Sequence, residues 1–557
     1  MTVIKRIVFI TFFLLGITPL AYANNLQLSN LNVVSTDTDK QTMTFSFDLS
    51  QDNSWRIDKG NNSITWDAVW VFMKYSTDGG VTWNHATMYK TGTNPPGYSV
   101  PSNFQIDVPS DQRGFFLHMS EIGSGNISIK GVQFVWNYGQ NGGDHLDNAT
   151  AQASNTIHKL FGIEMVYIPT GSFYAGDGAA DFHLKAGSSD NNPWFIQNES
   201  GFGTTNGAQG GYYYVSTGVN GTYYKESDSG DMFPISEVFP KGYNAFYLMK
   251  YELTEGEWVS FFNTLSNAAK LNHDITSGNL GGKNSQGVVN RNTIAWDSTK
   301  AYSKATTLRP SRPVSYVSWP DVAAYAAWAG LRPITELEYE KAARGKGVIP
   351  TADEYVWGTS ANFIAVTSSD IIPNDSDENG TETISNPQAN ISRNRLGFTS
   401  GDGRPSPSGI APNQAGPVRV GIFATSSNSQ ISSGAGYYGN MELSGNLAEP
   451  VVSLGFLQGR KFQGTHGSGQ LTTASGYEGF APNTDWPGFD SNHPEQGIRH
   501  TAGIGYRGGD FASNNIRVYE TSSRTYAASD PDNLGCLQRY DSKCGVYYGG
   551  RFGRTAP

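Results

Sequence analysis

The stretch "GYRGGDFASNNIRVYETSSRTYAAS", residues 505–529, decides how this chain is read. A Gly508-Gly509 pair sits between an aromatic-basic lead, Tyr506-Arg507, and a run of short polar residues. The segment looks like the frame of an active site. Its centre holds no cysteine, no histidine and no pair of glutamates.

The rest of the chain bounds what that frame serves. At 557 residues it exceeds one ordinary core, so two or three domains are expected. Charged residues are 16% and glycines number 65, a low-charge, glycine-rich balance that points to loop-rich folds rather than helical bundles. A net charge of -10 argues against a nucleic-acid partner, whose binding rests on Lys and Arg neutralising phosphates.

The chain opens "MTVIKRIVFITFFLLGITPLAYANN". Lys5 and Arg6 precede an apolar run, and Ala21-Tyr22-Ala23 offers small residues for cleavage, the layout of a secretory signal peptide over residues 1–23. The run is too short to span a bilayer and no later segment offers another, so the mature chain is expected to be exported without a transmembrane segment. The two cysteines, Cys536 and Cys544, lie in a polar, Gly-flanked stretch. In an exported protein they are read as a local disulfide; the rival reading, a thiolate metal site, lacks neighbouring ligands.

Residues 24–143 read as β throughout. "TMTFSFDLS" alternates apolar and polar residues, and "AVWVFMKYSTDGGVTWNHATMY" reads as two strands joined at Asp78-Gly79-Gly80. A β-sandwich domain is expected there, followed by a polar, Gly-rich linker at 144–157. From residue 158 the character becomes aromatic and irregular. Three helix starts are legible as capping boxes: Thr254 with Glu257, Ser318 with Asp321 and Thr335 with Glu338. Gly330 and Gly345 are their expected stops. A Ser-, Asn-, Gly- and Pro-rich run spans 359–436, longer than loops usually are unless they carry function or are tied down by something such as bound calcium.

Six segments now line up in order: "FGIEMVYIPTGSFYAGDG" (161–178), "FYLMKYELTEGEWVSFFN" (246–263), "RPVSYVSWPDVAAYAAWAGLRPITELEYEKAARG" (312–345), "YYGNMELSGNLAEPVVS" (437–453), "YRGGDF" (506–511) and "GGRFGRTAP" (549–557). Together they resemble the formylglycine-generating enzyme, or sulfatase-modifying factor, family over residues 158–557. The resemblance implies an α+β, C-type-lectin-like fold with little regular secondary structure. It also implies an oxidase that converts a sulfatase cysteine to formylglycine using O₂ and copper held by two cysteines. Counted from Arg507-Gly508-Gly509, those two places hold Ser513 and Val518. Serine is a poor ligand for monovalent copper and valine is none, so the copper-thiolate mechanism is not expected here.

A second branch of that resemblance, the sulfoxide synthases, uses a three-histidine iron site drawn largely from an attached helical bundle. The attached segment here is β, and the nine histidines show no i, i+3 or i, i+4 pair. His493 and His500, with Glu495, are the nearest candidates, which leaves iron open. Ala448 and Pro450 stand where the family usually has aromatics, and Asp510 where it generally has Ser. The family's calcium sites map onto Glu449 with carbonyls near Ser444, Gly445 and Leu447, and onto Asn390 with Asp402. Calcium takes six to eight hard oxygens, which a carboxylate and a Gly-rich turn supply in part. Arg507, Arg517 and Arg524 read either as an anion pocket or as partners of internal carboxylates, and Asp510 as a cap on the Gly508-Gly509 turn.

The expectation is an exported protein whose C-terminal domain is a binding or structural module for a surface protein or glycan. The rival is a metal-dependent oxidoreductase with a rebuilt iron or copper site.

Overall fold

The computed structural model describes residues 25–60, 63–180, 182–186, 193–200, 213–214, 235–278, 282–300, 302–366, 371–372, 383–386, 388–392, 416–425, 428–513, 515–527 and 545–557. The expected signal peptide, Asp402, Cys536 and Cys544 lie outside the described residues. No described helix is long and apolar enough to cross a membrane.

The N-terminal region is built from β1 (Gln27–Asp37), β2 (Thr42–Asp58), β3 (Ile64–Ser76), β4 (Phe104–Val108), β5 (Phe115–Met119) and β6 (Gly123–Asn137). β2 runs antiparallel between β1 and β6. Its alternation does what a half-buried strand should: Met43, Phe45, Phe47 and Leu49 are buried, and the residues between them are not. They meet Val69, Val71 and Met73 of β3, Ile106 of β4 and Leu117 of β5 in one apolar cluster. Asp78 behaves as a turn residue, accepting hydrogen bonds from the backbone N–H groups of Val81 and Thr82. The returning strand of that hairpin is short, pairing with β3 only at Asn84 and His85.

β3 differs from β2. Its run Ala68–Met73 is buried without interruption, because both of its faces are covered. Val69, Val71 and Met73 face the N-terminal cluster, while Ala68, Trp70 and Phe72 belong to the large core of the rest of the chain.

The reason is β7 (Ile157–Ile168), which pairs along ten positions of β3, from Asp67↔Val166 to Ser76↔Ile157. β8 (Phe246–Met249) adds to β7, and the C-terminal β11 (Gly553–Thr555) adds to β8. One sheet of eleven strands thus runs through the expected domain boundary. The 144–157 stretch, read as a linker, is packed down: Asp144 accepts hydrogen bonds from the Trp136 indole and from Thr87, and Asp147 caps a short helix at Asn148–Ala151. Across the boundary the Trp70 indole donates to Ala329 O at 2.9 Å, and Lys74 donates to Trp328 O at 2.7 Å and Gly469 O at 3.0 Å. Burial pushes the Lys74 amine well below its ordinary value, as expected of an ammonium surrounded by neutral partners.

Beyond β7 the chain is mostly irregular, with a few short helices. α1 (Glu255–Phe262), α2 (Trp319–Trp328) and α3 (Glu336–Arg344) each begin at the expected capping box, with both reciprocal hydrogen bonds formed. Every residue of α2 is buried, so its small side chains (Ala323, Ala324, Ala326, Ala327) let neighbours approach closely. α3 ends at Gly345, whose φ of 92° only glycine adopts freely. Finally β9 (Glu449–Val452) and β10 (Ile504–Arg507) pair antiparallel and set Glu449 opposite Arg507. Ala448 is fully buried in the core, and Pro450 sits in β9, a strand of a two-stranded sheet that tolerates its missing N–H.

Candidate functional site

The turn after β10 holds its glycines by necessity. Gly508 and Gly509 have φ of 87° and 66°; a Cβ on the first would lie 2.5 Å from Leu443 O, and on the second 2.7 Å from the Val518 side chain. Asp510 caps the following turn, residues 511–513, rather than the glycine pair. Its carboxylate accepts the Ala512 N–H at 2.8 Å and the Ser513 hydroxyl at 2.6 Å. Ser513 is buried with its hydroxyl committed to Asp510, and Val518 is 4% exposed within a cluster containing Tyr339, Leu443 and Tyr519. Neither side chain is arranged as a metal ligand.

The arginines of this segment face inward to carboxylates. Arg507 lies 2.6 Å from Glu340 and 3.5 Å from Glu336, Arg524 lies 2.6 Å from Glu336, and all four side chains are fully buried. Arg344 joins them through Glu340 and Glu354. Three guanidinium groups and three carboxylates thus balance in one dry cluster. Burial pushes the Glu340 acid up, but Arg507 and Arg344 outweigh it and hold its carboxyl below the ordinary value. Arg517 lies apart, half-exposed, 2.9 Å from Asp353. These groups do not form an anion pocket.

A second buried group surrounds Glu449. One of its oxygens accepts from Arg551 at 2.7 Å; the other, Oε2, has no hydrogen-bond partner among the described residues. Its charge presses electrostatically on Glu252 and Glu442. Glu252 accepts from Asn446 Nδ2 and Leu447 N, and Glu442 accepts from Gly421 N while its Oε2 also lacks a partner. Burial pushes Glu442 and Glu449 each up to about 7, Arg551 pulling the other way, and burial lifts Glu252 well above the carboxylate range. The loop between Glu442 and Glu449 is bent through positive φ at Glu442 (52°) and Asn446 (60°), an uncommon conformation for non-glycine residues.

In that loop the Ser444 hydroxyl donates to Tyr519 O, whereas the carbonyls of Ser444, Gly445 and Leu447 accept no hydrogen bond among the described residues. Asn390, the expected oxygen ligand elsewhere, is engaged on every side. Its Oδ1 accepts from Ile364 N, and its amide donates to Asn362 O and Ile431 O. His493 and Glu495 meet at 3.6 Å on the surface, and His500 is exposed with its backbone N–H on Gly488 O. Among the described residues no three His, Cys, Asp or Glu side chains are grouped to hold a metal.

Comparison with known proteins matches residues 208–403 to the sulfatase-modifying factor enzyme 1-like domain family. It is 50% identical over 50 residues to the formylglycine-generating enzyme of Thermomonospora curvata, covering 9% of this chain and 16% of that one. To the enzyme of the same name from Streptomyces coelicolor it is 43% identical over 70 residues, 13% of this chain and 21% of that one. To that from Bos taurus it is 28% identical over 116 residues, 18% and 31%. The matched part thus spans less than a third of each of these relatives.

Several residues of these clusters escaped the sequence reading. Glu252 and Arg551 stand inside segments quoted for the resemblance, "KYELTEG" and "GGRFG", yet nothing local says that they meet Glu449. The signal available was charge itself: in a chain with few charged residues, a glutamate flanked by apolar ones reads as buried and paired.

Proposed function

We propose that this is an exported protein whose C-terminal region, a variant of the C-type lectin fold, serves as a calcium-dependent, non-catalytic binding or structural module for a surface protein or glycan. The observation that carries the reading is the pair of positions expected to hold copper thiolates. Ser513 spends its hydroxyl on Asp510, and Val518 is core. The N-terminal leader and a Cys536–Cys544 disulfide belong to the same proposal.

Calcium fits the loop at Glu442–Glu449 better than it fits Asn390. The unpartnered Oε2 atoms of Glu442 and Glu449 and the open carbonyls of Ser444, Gly445 and Leu447 are hard oxygens of the type that calcium takes. The ion would supply the positive charge these buried carboxylates lack beyond Arg551. The Asn390 Oδ1 already accepts one hydrogen bond, from Ile364 N.

The test is co-expression with a cysteine-containing sulfatase peptide, reading formylglycine by mass spectrometry. No conversion is expected, and clear conversion overturns the non-catalytic reading. Metal analysis of the purified protein separates the rival: calcium alone is expected, and stoichiometric iron or copper favours an oxidoreductase.

A further inference from the structure

Between the N-terminal sheet and α1 lies a cavity of about 580 Å³. Its walls come from both regions: Leu28 of β1 and Phe161 of β7 on one side, Glu257 and Ser260 of α1 with Tyr325 and Trp328 of α2 on the other. A volume of this size, apolar and set between two regions of a chain, is that of small-molecule pockets.

Its polar chemistry is one-sided. Three glutamates line it (Glu164, Glu252 and Glu257), and no Lys, Arg or His does among the described residues. Glu257 uses Oε2 for the capping box, accepting Thr254 N and Oγ1 at 2.9 Å, and Oε1 takes no hydrogen bond among the described residues. Glu252 accepts only neutral donors, and Glu164 shares the Lys250 ammonium (3.7 Å) with Asp67 (3.1 Å). A separate observation points the same way toward an occupant: Trp328, 4% exposed, lines the cavity, and its indole N–H has no acceptor among the described residues. A buried donor left without an acceptor costs roughly 1–3 kcal/mol unless something binds it.

We infer that this cavity binds a small apolar amine, its ammonium against Glu257 and its body on Phe161, Tyr325 and Trp328. Aromatic faces attract an ammonium as well as covering its hydrocarbon. A ligand oxygen accepting from the Trp328 indole would satisfy the unpaired donor. Burial pushes the Glu257 carboxyl up to about 7, the state of an acid short of a counter-charge, and the ligand would bring that charge. The inference does not depend on whether the C-terminal region is catalytic.

Calorimetric titration of the full chain with 2-phenylethylamine, 2-phenylethanol and 3-phenylpropionate tests it. The amine is expected to bind about tenfold or more tighter than the alcohol, a difference of ~1.4 kcal/mol, and the carboxylate not to bind. Glu257→Gln retains the capping box, since Gln serves at that position, and should weaken the amine about tenfold while leaving the alcohol unchanged. Ser260→Trp, at an exposed lining position, should block both. Equal binding of amine and alcohol, amine binding indifferent to Glu257→Gln, or no binding of any probe to the folded protein overturns the inference. The comparison of the three probes on the unsubstituted chain decides even where a variant fails to fold.

Discussion

The two halves of this molecule are held together by different physics. In the N-terminal region strands alternate, and stability comes from apolar faces meeting: Phe45 stacks on Phe134 at a ring-centroid distance of 5.5 Å, and Phe47 meets the same ring edge-to-face at 5.9 Å. In the C-terminal region the backbone is mostly irregular and cannot satisfy its own polar groups in ladders. There buried side chains do that work: Arg551 donates to Met249 O, Lys250 O and Met441 O, and Arg507 to Thr521 O and Ser523 O. A sheet tolerates a lost methyl group better than an irregular core tolerates a lost charge, because the charge leaves both its partner and several carbonyls unmet.

That contrast can be broken in graded ways. The largest effect is expected for Glu336→Ala, which takes from Arg524 its paired carboxylate and from Arg507 the farther of its two; about 4 kcal/mol should be lost in denaturant unfolding. Leu117→Ala, a cavity in the N-terminal core, should cost about 3 kcal/mol and leave the C-terminal clusters intact. If the two losses came in the reverse order, the contrast between the halves would fail.

A pH series sharpens the same comparison. Glu442 and Glu449 are raised from about 4.5 when unfolded to about 7 when folded, so the native state binds extra protons between those values. Without calcium, stability should therefore fall as pH rises from about 5 to 8, by on the order of 2 kcal/mol for each of the two carboxyls, and stay low above that. Saturating calcium should remove the fall, and Glu449→Gln should abolish the calcium effect; thermal melts with and without chelator read both. The smallest effect is expected for Ser318→Ala, a lost cap worth about 1 kcal/mol, seen as a small shift in the unfolding midpoint.

Local features were legible in advance. The three capping boxes, the Asp78 turn, the alternation of β2 and the need for Gly508 and Gly509 are all decided within four residues of sequence. The ion clusters were not, because Glu449 and Arg551 lie 102 positions apart, and Arg507 and Glu336 171. Asp510 was read as a cap but assigned to the wrong turn, since a carboxylate one residue past the glycines reaches forward to Ala512 and Ser513 more readily than back. The expected linker proved to be packed, because β7 begins at its end and takes the open edge of β3.

By itself, then, the sequence determined the short-range choices: where helices start, where the chain turns and which strand has two faces. Tertiary structure alone decided that β3 joins the two halves into one sheet, that the arginines meet carboxylates, and that Glu252 and Glu442 are buried with too few counter-charges. Hydrogen bonds and capping act over a few residues, whereas burial and charge pairing depend on which distant segments the folded chain brings into contact.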